Sequence, residues 1–281
     1  MSLVPVPSHQ AEEIIVVIVM KIEMKDLEFG YNPEVPVLKG INYTLDKPEF
    51  VCIMGPNGVG KSTLIHCMNK ILKPSSGFVY INDKEVREYK LKELATHMGY
   101  VPNSSEDSFP LSVVDTVMVG LQNDHKFGTN NDDLQKVYDV LRLMKIQHLA
   151  MRDFNELSAG QHQKVMLARG LVRTPEIVLL DEPTSNLDIR HQLEVTKVLS
   201  ELPAKKGMLV IMICHDINIT AKYADKILML HGGGIYAVGT PSEVLTKENI
   251  RTVYGVDADV IDINGRPHVI LNESLEGDEE I

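Results

Sequence analysis

The chain has 281 residues, enough to bury a sizeable core, and its 44% hydrophobic and 24% charged side chains are the balance of a soluble globular protein. Its 39 acidic against 28 basic residues give a net charge of −11, with the lysines and arginines scattered along the chain. Nucleic acid is therefore not expected as a direct partner, because neutralising phosphates needs clustered Lys and Arg.

Residues 1 to 19 open with the Pro- and Ser-containing MSLVPVPSHQ and are expected to be a disordered leader. The longest apolar run, IIVVIVM at 14 to 20, falls short of the ~20 residues a membrane-spanning helix requires and reads as a strand. Glu12 and Glu13 stand where a secretory signal would carry basic residues, so the chain is expected to stay in the cytosol. From Met20, MKIEMKDLEF alternates apolar and polar residues, and GYNPEVPVLKGINYTL adds a turn and a second alternating run, predicting an antiparallel β layer.

EFVCIMG predicts a buried strand running into a glycine-rich loop, followed by a helix, STLIHCMNKIL, whose apolar residues at 64, 65, 68, 71 and 72 share one face and which KPSSG ends. Residues 88 to 98 and 130 to 150 are charged and helix-patterned, separated by the polar NSSEDSFP and GLQNDHKFGTNND, and predict a helical insertion over about 88 to 158. An α/β rhythm then returns: IVLLDEP a strand, NLDIRHQLEVTKVLSEL a helix, MLVIMICHD a strand, INITAKYADKI a helix, ILMLHGGGIYAVG a hairpin. VIDINGRPHVIL flanks Asn264-Gly265 with apolar-rich segments and predicts a further hairpin, placing a C-terminal hairpin and acidic tail at 258 to 281. Cys52, Cys67 and Cys214 sit in apolar surroundings without metal-ligand spacing and are expected to be buried reduced thiols.

Three constellations carry chemistry. GPNGVGKST, residues 55 to 63, fits GxxxxGK[ST] at a strand-to-helix junction. Gly55, Gly58 and Gly60 let the backbone fold around phosphates, with Pro56, Asn57 and Val59 completing the loop. Lys61 is expected to reach the β- and γ-phosphates, Ser62 to ligate Mg2+ and Thr63 to bond the α-phosphate. IVLLDE delivers two carboxylates to a strand end: Asp181 suits a Mg2+ contact through water, and Glu182 suits a base acting on the attacking water. Alone they would read as ordinary strand-end acids, and His215, after the apolar LVIMIC, as an ordinary structural histidine. LSAGQ, residues 157 to 161, sets Ser158, Ala159, Gly160 and Gln161 at a helix start, a second anion-favouring site.

The ordered set GPNGVGKST, LSAGQ, IVLLDEPTSNLD and His215 resembles the ATP-binding subunit of an ABC transporter over roughly residues 20 to 257, and LSAGQ is decisive because other P-loop ATPases lack it. The resemblance implies an α/β P-loop NTPase core with an antiparallel β subdomain and an inserted helical subdomain. It implies Mg-ATP held between two copies of the chain packed head to tail. Lys61, Glu182 and His215 would act in hydrolysis, and Tyr31 would stack on adenine. Ser158, Ala159, Gly160, Gln161 and Asp188 would serve the ATP of the opposite subunit, with Asp188 crossing the interface. One position departs from the pattern: Asn103, after the strand reading YVP, stands where the family has a Gln on Mg2+ and the lytic water, and its amide reaches ~1.5 Å less far.

No spanning segment accompanies the nucleotide motifs, so the resemblance further implies two separate integral membrane permease subunits holding this subunit at the cytoplasmic face of the membrane. HQLEV at 191 to 195, GTPSEVLTKENIRTVYGVDADV and NGRPHVIL are similar to the branch that imports iron-siderophore, haem or cobalamin, where an extracytoplasmic substrate-binding protein selects the ligand. The alternatives are another ABC importer or exporter, or a soluble ABC ATPase acting on nucleic acid or ribosomes. A single nucleotide domain, no heptads and the acidic balance speak against the last.

Overall fold

The computed structural model describes residues 20–103, 110–121 and 131–275. The expected leader, all but Met20 of the IIVVIVM strand, most of the two polar stretches and the end of the acidic tail lie outside the described residues.

The alternating runs fold into β1 (Ile22–Phe29) and β2 (Leu38–Leu45), antiparallel neighbours in register Ile22↔Leu45 and Leu27↔Ile41. After β3 (Phe50–Met54) and α1 (Lys61–Met68), β4 (Ser76–Ile81) and β5 (Lys84–Glu85) complete a sheet of order β2-β1-β4-β5. The apolar spacing predicts an α1 reaching Leu72, yet the helix stops at Met68. Lys70 adopts a left-handed φ of 66°, and its Nζ donates to the carbonyls of Arg87 and Tyr89 at 2.8 and 2.6 Å. That tertiary anchor wins over local periodicity and leaves Ile71 exposed.

The helix-patterned stretch at 88 to 98 forms a helix, and the strand expected at YVP follows it. α2 (Leu91–His97) buries Leu94 on the side of the four-stranded sheet, and β6 (Met98–Val101) is a strand of the main sheet. The helical insertion thus opens after β6, with α3 (Val113–Met118), α4 (Asn131–Leu143) and α5 (Ala159–Leu171) packed around Val117, Val137, Leu141, Phe154 and Val165. Next come β7 (Ile177–Leu180), α6 (Ile189–Lys206), β8 (Leu209–Ile213), α7 (Ile217–Tyr223), β9 (Lys226–His231) and β10 (Gly234–Gly239). α8 (Pro241–Val244), α9 (Lys247–Tyr254), β11 (Val256–Ile263) and β12 (Arg266–Ser274) finish the described chain. The last hairpin turns through Asn264 and Gly265, both at positive φ, as its sequence predicts.

The main sheet has the order β10-β9-β3-β8-β7-β6, parallel except for the edge hairpin β9-β10. β3, β7 and β8 are buried along their whole length, which is why FVCIM, IVLL and LVIMI are unbroken apolar runs. The period of two divides their side chains between two cores. Phe50, Cys52, Met54, Val178, Leu180, Val210 and Met212 face the helical insertion and the C-terminal elements. Val51, Ile53, Ile177, Leu179, Leu209, Ile211 and Ile213 face α1 and the four-stranded sheet. The three cysteines are free and buried, as expected. Among the described residues no helix is long and apolar enough to cross a membrane.

Candidate nucleotide site

Four neighbouring parallel strands, β3, β8, β7 and β6, release their chains at the same edge of the sheet, the edge where open α/β sheets bind ligands. Lys61 follows β3, His215 follows β8, Asp181 and Glu182 follow β7, and Asn103 follows β6.

Between β3 and α1 the chain takes φ of 146° at Gly55, 79° at Gly58 and 106° at Gly60, values that favour glycine. A Cβ on Gly55 would lie 2.4 Å from the Leu230 carbonyl oxygen, whereas the space beside Gly58 is open. No side chain caps the start of α1 and no acid occupies its first turn, so its amides are suited to an anion. The Lys61 ammonium folds back into the loop and donates to the Gly55 and Pro56 carbonyls, each at 2.8 Å. Burial pulls its pKa down, with Glu182 and Asp181 opposing.

Ser62 Oγ donates to Asp181 Oδ1 at 2.9 Å. Burial raises the Asp181 carboxyl above its ordinary value, against the Ser62 bond and nearby His66. His66 Nε2 stands 3.7 Å from Asp181 Oδ2 and 2.9 Å from the Tyr100 hydroxyl, a support that sequence reasoning missed. Glu182 sits at φ 50°, a left-handed conformation uncommon for a non-glycine. One of its carboxylate oxygens is 2.5 Å from His215 Nε2, and the other accepts from the Asn103 amide at 2.9 Å. Ser185 Oγ, also unforeseen, lies 3.0 Å from Asn103 Oδ1 and 3.1 Å from the Glu182 carbonyl oxygen. A cavity of about 240 Å³ opens between Glu182, Ser185, His215 and Asp216. Tyr31 is 71% exposed, packs edge-on against Phe29 and holds its hydroxyl 3.5 Å from Thr63 Oγ1, so its ring is available beside the phosphate loop.

Ser158, Ala159, Gly160, Gln161 and Asp188 form a separate group. Ser158 caps α5 by accepting from the Gln161 N–H at 3.4 Å, and Gln161 Oε1 accepts from the Ser158 N–H at 3.2 Å. Asp188 caps α6, accepting from the His191 N–H and facing His191 Nδ1, both at 2.9 Å. The His191 N–H, then its ring, hold the Asp188 carboxyl below its ordinary value. Ser158, Ala159 and Asp188 are exposed. The side-chain bonds of this group stay at the starts of α5 and α6, and among the described residues none joins it to Lys61 or Ser62.

This arrangement can bind a nucleoside triphosphate on the glycine loop, hold a hard cation between Ser62 and Asp181, and orient a water beside Glu182 and His215. Residues 38–185 match the profile of the ABC transporter family. An ABC transporter ATP-binding protein of Methanocaldococcus jannaschii is 40% identical over 89% of this chain and 98% of its own length. The hemin import ATP-binding protein HmuV of Hahella chejuensis is 35% identical over 84% of this chain and 94% of its own length. Among solved structures, an inward-facing metal-chelate type ABC transporter matches 90% of this chain and 98% of its own with a TM-score of 0.77 and 27% identity.

Proposed function

From the premise that the chain belongs to the ABC transporter family as an ATP-binding, ATP-hydrolysing subunit, we propose that it powers import of a metal chelate through separate membrane permease subunits. The cargo class is an iron-siderophore, haem or cobalamin. The likeness to a hemin import subunit and to a metal-chelate transporter supports this class. The chain would sit at the cytoplasmic face, held by two permease subunits, with a substrate-binding protein on the far side delivering the ligand. A groove of about 420 Å³ beside α3 and α4, lined by Val114, Leu134, Tyr138 and Ala150, offers an apolar seat for a short permease helix.

The observation that carries the mechanism is the division of the motifs into two half-sites. Lys61, Ser62, Asp181, Glu182 and His215 converge on one edge of the sheet, while Ser158, Ala159 and Asp188 stand exposed at the starts of α5 and α6 and, among the described residues, bond only within their own group. Two copies packed head to tail bring one chain's signature segment over the other chain's phosphate loop. Gly55 to Thr63 then wrap the phosphates, with Tyr31 stacked on adenine.

The paired oxygens of Ser62 and Asp181 suit Mg2+, with Asn103 near the same edge, and the cation when bound neutralises charge building on the phosphates. Lys61 exchanges its carbonyl partners for phosphate oxygens. Glu182, steadied by Asn103 and His215, orients the attacking water and draws on its proton. Hydrolysis removes the γ-phosphate from the interface, and the dimer reopens.

Two measurements test the reading. Glu182→Gln should accumulate an ATP-bound dimer, and a variant that stays monomeric in Mg-ATP refutes the assignment of Glu182. ATP hydrolysis by the chain with its permease should rise when a substrate-binding protein loaded with ferric siderophore, haem or cobalamin is added. Stimulation by DNA or ribosomes in place of these would overturn the transport reading.

A further inference from the structure

His191 belongs to the HQLEV segment, and the nucleotide chemistry above gives it no role. Its ring lies between two elements of the exposed half-site. On one side, Nδ1 is 2.9 Å from Asp188 Oδ1 and 3.0 Å from Oδ2. An ionised carboxylate only accepts, so Nδ1 carries the proton and donates. On the other side, the ring packs on Gly160. A Cβ there would stand 3.0 Å from both His191 Cδ2 and Cγ, tighter than ordinary contact. Gly160 is buried although Ser158 and Ala159 beside it are exposed, and the His191 ring lies against it. One turn further along, Lys164 of α5 bonds Glu194 of α6 at 2.8 Å, and Arg190 bonds the same carboxylate at 3.2 Å.

We infer that His191 is a positioning residue that locks Asp188 to the signature segment, so that both reach the opposite subunit as one rigid unit. The inference rests on the head-to-tail reading above and adds to it. The physical argument is one of separation. Asp188 lies at the start of α6 and Gly160 at the start of α5, on different helices with no covalent reason to move together. The imidazole supplies both a directional bond to the carboxylate and a flat face for a residue lacking Cβ, and so sets their spacing. A glycine at 160 is then required twice, for close approach to phosphate and for contact with this ring. Without the imidazole, Asp188 keeps only the backbone N–H groups at the start of its own helix, and its carboxylate loses its link to α5.

The test uses the full chain carrying Glu182→Gln, with Mg-ATP as the probe and dimer formation followed by light scattering. His191→Ala should raise the protein concentration needed for half-dimerisation about tenfold. Nucleotide affinity of the dilute monomer, which depends on the chain's own glycine loop, should stay within about twofold, and melting temperature should hold. His191→Asn keeps a donor near Nδ1 for Asp188 but lacks the ring face, and His191→Phe keeps the face but lacks the donor. Each should recover part of the loss, which a general packing role for the ring would not produce with Asn. Dimerisation of His191→Ala equal to its parent overturns the proposal, as does a fall in monomer nucleotide affinity and melting temperature matching the dimer defect. If the Glu182→Gln parent itself fails to dimerise in Mg-ATP, the head-to-tail reading falls and the strut falls with it.

Discussion

Asp181→Asn sets stability against function. The carboxylate is buried with 7% of its side chain exposed, bonded to Ser62 at 2.9 Å, and its pKa is raised chiefly by that burial. Asn matches its shape and still accepts the Ser62 hydroxyl. What disappears is a charge that the fold desolvates and sets beside Glu182, together with its attraction to His66 and Lys61. The raised pKa gives the sign: the native state disfavours the ionised form relative to the unfolded chain. Stability of the nucleotide- and metal-free protein therefore falls as pH climbs from the unfolded value of 3.8 through the raised folded value, and stays lower above it.

Removing the charge should stabilise the free chain by about 1–2 kcal/mol at neutral pH, the usual size for relieving a polar group kept for function. At roughly 2–4 °C per kcal/mol for a chain of this size, the melting temperature should rise by about 2–8 °C. The assay is thermal unfolding in EDTA at about pH 7.5 and again at stepwise lower pH toward the unfolded value of 3.8, along which the gap between variant and wild type should narrow. Mg-ATP should reverse the order, because saturating ligand at a hundredfold its Kd adds about 2.7 kcal/mol to wild type and far less to the variant. A variant less stable than wild type in EDTA at neutral pH, or a gap that widens toward acid, would show that Asp181 is not held against its charge.

Tyr31→Ala should raise KM for ATP about fivefold, from the loss of roughly 1 kcal/mol of base stacking by an exposed ring, with kcat within about twofold. Steady-state kinetics checks it, and an unchanged KM removes Tyr31 from the adenine site. Asn103→Gln adds ~1.5 Å of reach and restores the residue usual in the family; turnover or its stimulation by the permease should rise. No change in either means the shorter amide, bonded here to Glu182 and Ser185, carries no deficit. Gly99→Ala places a Cβ 2.5 Å from the Gly170 carbonyl oxygen where β6 meets α5, and should cost about 1–3 kcal/mol of stability. A chemical-denaturation midpoint unchanged from wild type would refute that contact.

Much of the fold was legible in the chain because its signals are local. The unbroken apolar runs of β3, β7 and β8 announce strands covered on both faces, and Asn264-Gly265 announces its hairpin, since each depends on a few consecutive residues. The glycine loop is local too: spacing alone sets a left-handed path at Gly58 and Gly60 and puts Lys61 at the helix start. Periodicity overreached where a distant contact decided the outcome. α1 ends early because Lys70 is held by carbonyls seventeen and nineteen residues further on, and the helical insertion expected from about 88 opens only after β6, because Leu94 of α2 joins the core beside the four-stranded sheet and β6 pairs with β7.

The site divides in the same way. Residues 55 to 63 were readable as a phosphate loop from their spacing, Asp181 and Glu182 once that loop stood upstream, and His215 only through the resemblance carried by the whole motif set. Which side chains steady them was not readable. Ser62 meets Asp181 across 119 residues, Asn103 meets Glu182 across 79, and His191 reaches Gly160 from another helix. Sequence by itself determined the phosphate loop and the strands that deliver the candidate reactive groups, through local periodicity and backbone preference. Tertiary structure alone decided their orientation, because hydrogen bonds between distant segments form only after the sheet has aligned the strand ends.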